Sequence, residues 1–119
     1  MDKVFKRSYK IPLYSGRLYV VLCESLKEAQ SELGLEFEAY GPLEDYDGGC
    51  FQRGNKYYIM LEHNPEPGVI AHECKHFVNH VFVTCGVELD RFNDEAECYL
   101  LGWAVEKSHN TIDKFKDEQ

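Results

Sequence analysis

Two hydrophobic periods divide the chain. In the N-terminal half, Phe5, Tyr9 and Ile11 alternate with Lys6, Ser8 and Lys10, the period-2 pattern of a half-buried strand. The pattern predicts strands over Val4 to Tyr14 and Arg17 to Cys23, with Ser15-Gly16 between them as a two-residue hairpin signal. A short helix is predicted from Ser25 to Leu33, capped by Ser25 with Glu28 three residues on, and stopped by Gly34. A strand at Leu35 to Tyr40, a turn-rich loop from Gly41 to Gly49 and a strand pair follow. That pair, Cys50 to Arg53 and Lys56 to Glu62, brackets Gly54-Asn55. After Asn64-Pro65 the period changes. Ile70, Cys74, Phe77, Val78, Val81 and Cys85 fall on one arc at about 100° per residue, the core face of a helix. Gly86 stops it. A second helix is predicted from Asn93 to His109, with Asp90 and Asn93 as capping candidates, and the last ten residues read as a frayed polar tail.

The helix face away from the apolar arc carries the chemistry. His72-Glu73-Cys74-Lys75-His76 is an H-E-x-x-H pattern. Positions four apart lie one turn apart on one helix face, so both imidazoles can address a single Zn²⁺. Glu73, at the edge of that face, is placed to act as general base toward a water beside the ion. His72, His76, His80 and Val69 share this second arc. Three His and a Glu set apart from a core face are hard to explain by packing, the alternative being a polar, satisfied surface.

Catalytic zinc usually takes three protein ligands. His80 lies about 12 Å along the axis from His72 and cannot share one ion with both. No Gly before Gly86 turns the chain back toward the metal. His80 therefore reads either as a group behind the ligands or against substrate, or as a hydrogen-bonded histidine of no catalytic role. Glu95 is the expected third ligand. On the second helix it shares a stripe with Tyr99, Gly102 and Glu106, and Gly102 would permit a close crossing against the motif helix. Glu97 points about 200° away and reads as solvated. Asp90 is the alternative ligand.

The segments G-V-I-A-H-E-C-K-H-F-V-N-H and N-D-E-A-E-C-Y-L-L-G-W, within Gly68 to about Glu106, resemble the small H-E-x-x-H zinc peptidase-like proteins of bacteriophages and prophages. They are also similar to the ImmA/IrrE-type metallopeptidases. The resemblance covers roughly the last two-fifths of the chain. It implies His72 and His76 as ligands, Glu73 as catalytic base and Glu95 as third ligand. In a peptidase built on these residues, Tyr99 or His80 is expected to steady the ligands or a developing oxyanion. Cys74 and Lys75 depart from the smaller or more apolar residues expected inside the motif. No helix-turn-helix module accompanies it, so the resemblance does not identify the substrate.

The fold class expected is α+β: one minimal zincin-like domain over residues 1–119, a small mixed or antiparallel sheet followed by the H-E-x-x-H helix and a ligand-bearing C-terminal helix. With 119 residues and 44% hydrophobic content the chain suits one modest core. A net charge of −8 argues against a nucleic-acid surface. Lys3, Lys6, Arg7 and Lys10 read as the solvated face of a strand. No apolar run reaches the roughly 20 residues of a membrane span, and no signal-peptide stretch opens the chain, so a cytoplasmic location is expected. Five Cys without C-x-x-C form neither a disulfide framework nor a zinc ribbon and read mostly as small buried hydrophobes. A Cys74 nucleophile is the weaker reading beside a core thiol. Glu44, Asp45 and Asp47 lack EF-hand spacing and read as a solvated loop.

Lys56 to Glu62 is expected to form a sheet edge beside the metal, where an extended peptide could add as a strand. Its Tyr57 and Tyr58 read first as ordinary strand aromatics, with substrate contact as the alternative. The function these features favour is a zinc-dependent peptidase acting on a host or phage protein, with no nucleic-acid or membrane partner. Two alternatives stand beside it: a zinc-stabilised protein-binding module with little turnover, and a metal-free structural domain.

Overall fold

In the computed structural model, residues 4–34 and 47–119 are described. The strand expected at Leu35 to Tyr40 lies outside them, as do Glu44 and Asp45. The elements run β1 (Val4–Lys10), β2 (Arg17–Cys23), α1 (Leu26–Leu33), β3 (Gly48–Arg53), β4 (Lys56–Glu62), α2 (Pro67–Cys85) and α3 (Glu95–Asp117). Among the described residues the strands make one mixed sheet in the order β1-β2-β4-β3. β1 pairs antiparallel with β2, β2 parallel with β4, and β4 antiparallel with β3. The α+β class expected from sequence is what forms.

Alternation in the strands builds two cores on one sheet. Leu18, Val20, Leu22, Tyr57, Ile59 and Leu61 face α2 and α3, joined by Ile70, Cys74, Phe77, Val78 and Val81 from α2 and Leu100, Ala104 and Ile112 from α3. Val21, Cys23, Tyr58 and Met60 face α1 through Leu26 and Ala29. Each fully buried aliphatic side chain contributes about 1.5–3 kcal/mol. Tyr57 and Tyr58 are both buried, as strand aromatics should be.

β4 is a central strand, contrary to the edge position expected. Five successive residues, Tyr57 to Leu61, are buried, which requires covered faces on both sides. The edge on the α2 side is β3. The link from β1 to β2 also differs from a two-residue hairpin: pairing ends at Lys10↔Arg17, and Pro12 and Leu13, the latter at φ 66, form part of a longer loop. Leu13 is fully exposed there.

The helix stops behave as expected. Ser25 accepts a hydrogen bond from the Glu28 N–H, and Gly34 at φ 67 closes α1. Gly86 at φ 73 closes α2, with the Val87 N–H donating to the Phe82 carbonyl at 2.8 Å. α2 begins at Pro67, where a missing N–H costs nothing. The polar tail is the largest misreading, because α3 continues through it to Asp117. Thr111 and Ile112 are buried there, and Phe115 packs edge-on against Phe5 at 5.3 Å and stacks on His63 at 4.6 Å. No helix among the described residues is long and apolar enough to cross a membrane.

Candidate metal centre

α2 runs with one side in the core and the opposite side in solvent. Cys74 and Phe77 are fully buried, which turns His72 and His76 outward, both exposed. One helical turn separates the two imidazoles, and their Nε2 atoms lie 3.1 Å apart. A tetrahedral ion with Zn–N bonds of 2.0–2.1 Å holds two nitrogens about 3.3 Å apart. The pair is therefore spaced for a shared cation without rearrangement of the helix.

Glu73 sits between this face and the core, 7% exposed. Its carboxylate and the two imidazoles have ligand atoms within 4.8 Å of one another, so His72, Glu73 and His76 form a group that could hold a metal ion. Burial pushes the Glu73 carboxyl above its ordinary range, and His72 beside it opposes that rise. A raised carboxyl is a better proton acceptor than a solvated one. It packs against β3, where a Cβ added to Gly48 would fall 3.1 Å from Glu73 Cγ and 3.0 Å from Val69 Cγ1. Sequence reading missed Gly48. The Gly48-Gly49 pair ahead of the Cys50 to Arg53 strand was its one local sign. Cys50, farther along β3, has its thiol pushed up by burial and then by Glu73 and Cys74.

The remaining candidates are distributed differently. His80 is half-buried, and burial followed by the charge of His76 lowers its basicity. It is outside the three-residue group, in keeping with the axial separation. Asp90 accepts a hydrogen bond from the Phe92 N–H at 3.0 Å, closing a local turn. Tyr99 is 77% exposed. With Pro12, Leu13, Ala96, Leu100 and Trp103 it lines an apolar cleft of about 330 Å³.

α3 presents the opposite phase to the one expected. Its inward stripe is Leu100, Ala104, Ser108, Thr111 and Ile112. Glu95, Tyr99, Gly102 and Glu106 instead form the solvent face, and Gly102 has open space where a close crossing was expected. Glu95 stands exposed and is not gathered with the histidines, whereas Glu97, expected to be solvated, is only 14% exposed and pairs with Lys75. Lys75 also donates to Asn79 Oδ1 at 2.9 Å. Arg7, likewise, is not merely solvated but pairs with Glu118 at 3.0 Å.

All five thiols are free: Cys23 and Cys74 are buried, Cys50 half-buried, and Cys85 and Cys98 exposed, so the buried-hydrophobe reading holds for only part of the set. Cys74 hydrogen-bonds Ser108 at 3.5 Å and its thiol is pushed up to about 11, chiefly by burial. A thiol held neutral in the core is a poor nucleophile. No protein-family model, curated protein or solved structure matches the chain.

Proposed function

We propose that this protein is a zinc-dependent peptidase of the H-E-x-x-H type, as its resemblance to phage and ImmA/IrrE-type metallopeptidases implies. The observation that carries the reading is the His72 Nε2 to His76 Nε2 spacing of 3.1 Å beside a buried Glu73. His72 and His76 would hold the ion. A carboxylate from the first turn of α3 would complete the set: Glu95 is the residue the resemblance implies, and Glu97 is the one whose carboxylate reaches α2. Zinc, when bound, supplies Lewis-acid polarisation of a scissile carbonyl and of water.

Glu73 supplies the base. Its buried carboxylate takes the proton from water and returns it to the leaving amine, and Gly48 keeps room for it against β3. Among the described residues β3 is the edge strand nearest Glu73, and there its backbone N–H and C=O groups would receive an extended peptide. A second reading rests on the Lys75–Glu97 ion pair, which ties α2 to α3 without turnover and suits a zinc-stabilised binding module.

Replacing Glu73 by Gln separates the two. An amide cannot accept the proton, so Glu73→Gln should keep zinc and fold while losing peptide cleavage. Comparison of protein fragments in cells expressing wild type and Glu73→Gln would show substrates cut only by the former. Identical fragment patterns would leave the binding module as the better account.

A further inference from the structure

The start of β1, the ends of β2 and β4 and the last turn of α3 meet at one end of the sheet. Register puts them there. Val4 pairs with Cys23 and Cys23 with Glu62, so Glu24 and His63 leave the sheet at the same level, and Phe115 lies against both Phe5 and His63. Between these elements is a cavity of about 660 Å³, within the roughly 300–1,000 Å³ of small-molecule sites. β2 and β4 separate β1 from β3, and the cavity shares no lining residue with the His72, Glu73 and His76 group.

Its lining differs from that of the apolar cleft beside Tyr99. Two cations, Lys6 and Arg7, and two carboxylates, Glu24 and Glu118, stand around walls made by the Phe5 and Phe115 rings. His63 also lines it, and its Nε2 is buried with no hydrogen-bond partner among the described residues. A buried polar atom of that kind calls for a partner. We infer that this cavity binds a free amino acid with an aromatic side chain. Its carboxylate would meet Arg7 and His63, its ammonium Glu24 and Glu118, and its ring Phe5 and Phe115.

The donors and acceptors suffice for such a ligand. Arg7 carries five N–H donors, and its bonds to the Lys6 carbonyl at 2.9 Å and to Glu118 Oε2 at 3.0 Å leave others for a second carboxylate. The guanidinium is held over the Phe5 ring, 4.2 Å from its centroid, so little freedom is lost when a ligand pairs with it. His63, with its proton on Nε2, donates to the same carboxylate, while Glu118 keeps lone pairs for an ammonium. The mixed charge also selects against simpler ligands. A plain anion would meet Glu24 and Glu118 unpaired, and a plain cation would meet Lys6 and Arg7. An aromatic side chain suits walls of Phe5, Phe115 and the His63 ring, because ring pairs gain beyond their buried area.

The test is an NMR titration of the full chain, with chelator present, by L-phenylalanine, by its amide, a cation, and by N-acetyl-L-phenylalanine, an anion. Phenylalanine should give saturable shifts at Phe5, Arg7, His63 and Phe115, with each capped analogue weaker by at least about fivefold. Arg7→Gln should weaken phenylalanine by about tenfold and erase the disadvantage of the amide. Glu24→Gln should erase that of the N-acetyl form. Loss of a surface ion pair alone would move neither preference. His72→Ala should bind phenylalanine as the wild type does, which keeps the result separate from the zinc reading. Should Arg7→Gln fail to fold by far-UV circular dichroism, the analogue series on the wild type still decides. Equal binding of either capped analogue, shifts centred on other residues, weaker binding by His72→Ala, or no saturable shift at millimolar phenylalanine overturns the inference.

Discussion

Gly48 on β3 and Glu73 on α2 approach so closely that a methyl group on the glycine would sit 3.1 Å from Glu73 Cγ and 3.1 Å from the Met60 carbonyl oxygen. The contact joins the edge strand to the proposed base. It also explains why a small residue opens β3, since the same methyl would press on Val69 at 3.0 Å.

Gly48→Ala should therefore destabilise the fold by about 1–3 kcal/mol, the usual cost of overpacking. Gly68→Ala is the control, because nothing lies within 4 Å of a Cβ there; it should leave the urea midpoint unchanged or slightly raised. Equal effects of the two substitutions would mean that the Gly48 contact relaxes freely.

The paired imidazoles make a thermal prediction. A ligand at a hundred times its dissociation constant stabilises the native state by about 2.7 kcal/mol, which in a domain of this size raises Tm by roughly 10 °C. Zinc should give such a rise with the wild type, at about one ion per chain, and chelator should reverse it. His72→Ala and His76→Ala should abolish the rise, since either removes half of the 3.1 Å clamp. A shift that survives in both variants would place the metal elsewhere.

Much of this was legible in the chain because local signals and tertiary needs agree. The i, i+4 histidines, the Gly34 and Gly86 stops and the β4 boundaries needed only nearest neighbours in sequence. The sheet order did not, because β2 and β4 pair in parallel across a long crossover. The signal was nevertheless present: Tyr57-Tyr58-Ile59-Met60-Leu61 is an unbroken apolar run, the pattern of a strand covered on both faces. The phase of α3 was obscured for another reason. Ser108 and Thr111 count as polar, yet both are fully buried, with Ser108 donating to the Ala104 carbonyl and Thr111 to the Lys107 carbonyl at 2.8 Å each. Helix back-bonding hides their hydroxyls. Glu97 depends on Lys75, 22 residues earlier, which no local pattern announces.

The end of α3 supplies a direct check on its phase. Phe115 touches Phe5 and stacks on His63, and Tyr9 hydrogen-bonds Thr111 Oγ1 at 2.8 Å. Phe115→Ala should cost about 1–3 kcal/mol in urea unfolding, less than a fully buried Phe because this ring is only partly covered. A frayed tail would show no change.

Cys23 carries a pH prediction. It is 1% exposed, and burial first, then the charges of Glu62 and Glu28, raise its thiol from 9.0 to about 11. At pH 8 only about one molecule in a thousand would carry the thiolate, so iodoacetamide should label exposed Cys85 well before Cys23. The sign for stability follows from the same values. An unfolded thiol ionises near 9.0 and the folded one near 11, so the unfolded chain loses its proton first. Stability is intact below pH 9 and falls as pH rises toward 11, by on the order of 2 kcal/mol from this group. Cys23→Ala should flatten that part of the urea-midpoint profile relative to wild type. Parallel profiles for the two proteins, or equal labelling rates at Cys23 and Cys85, would show that the thiol is not held neutral by the core.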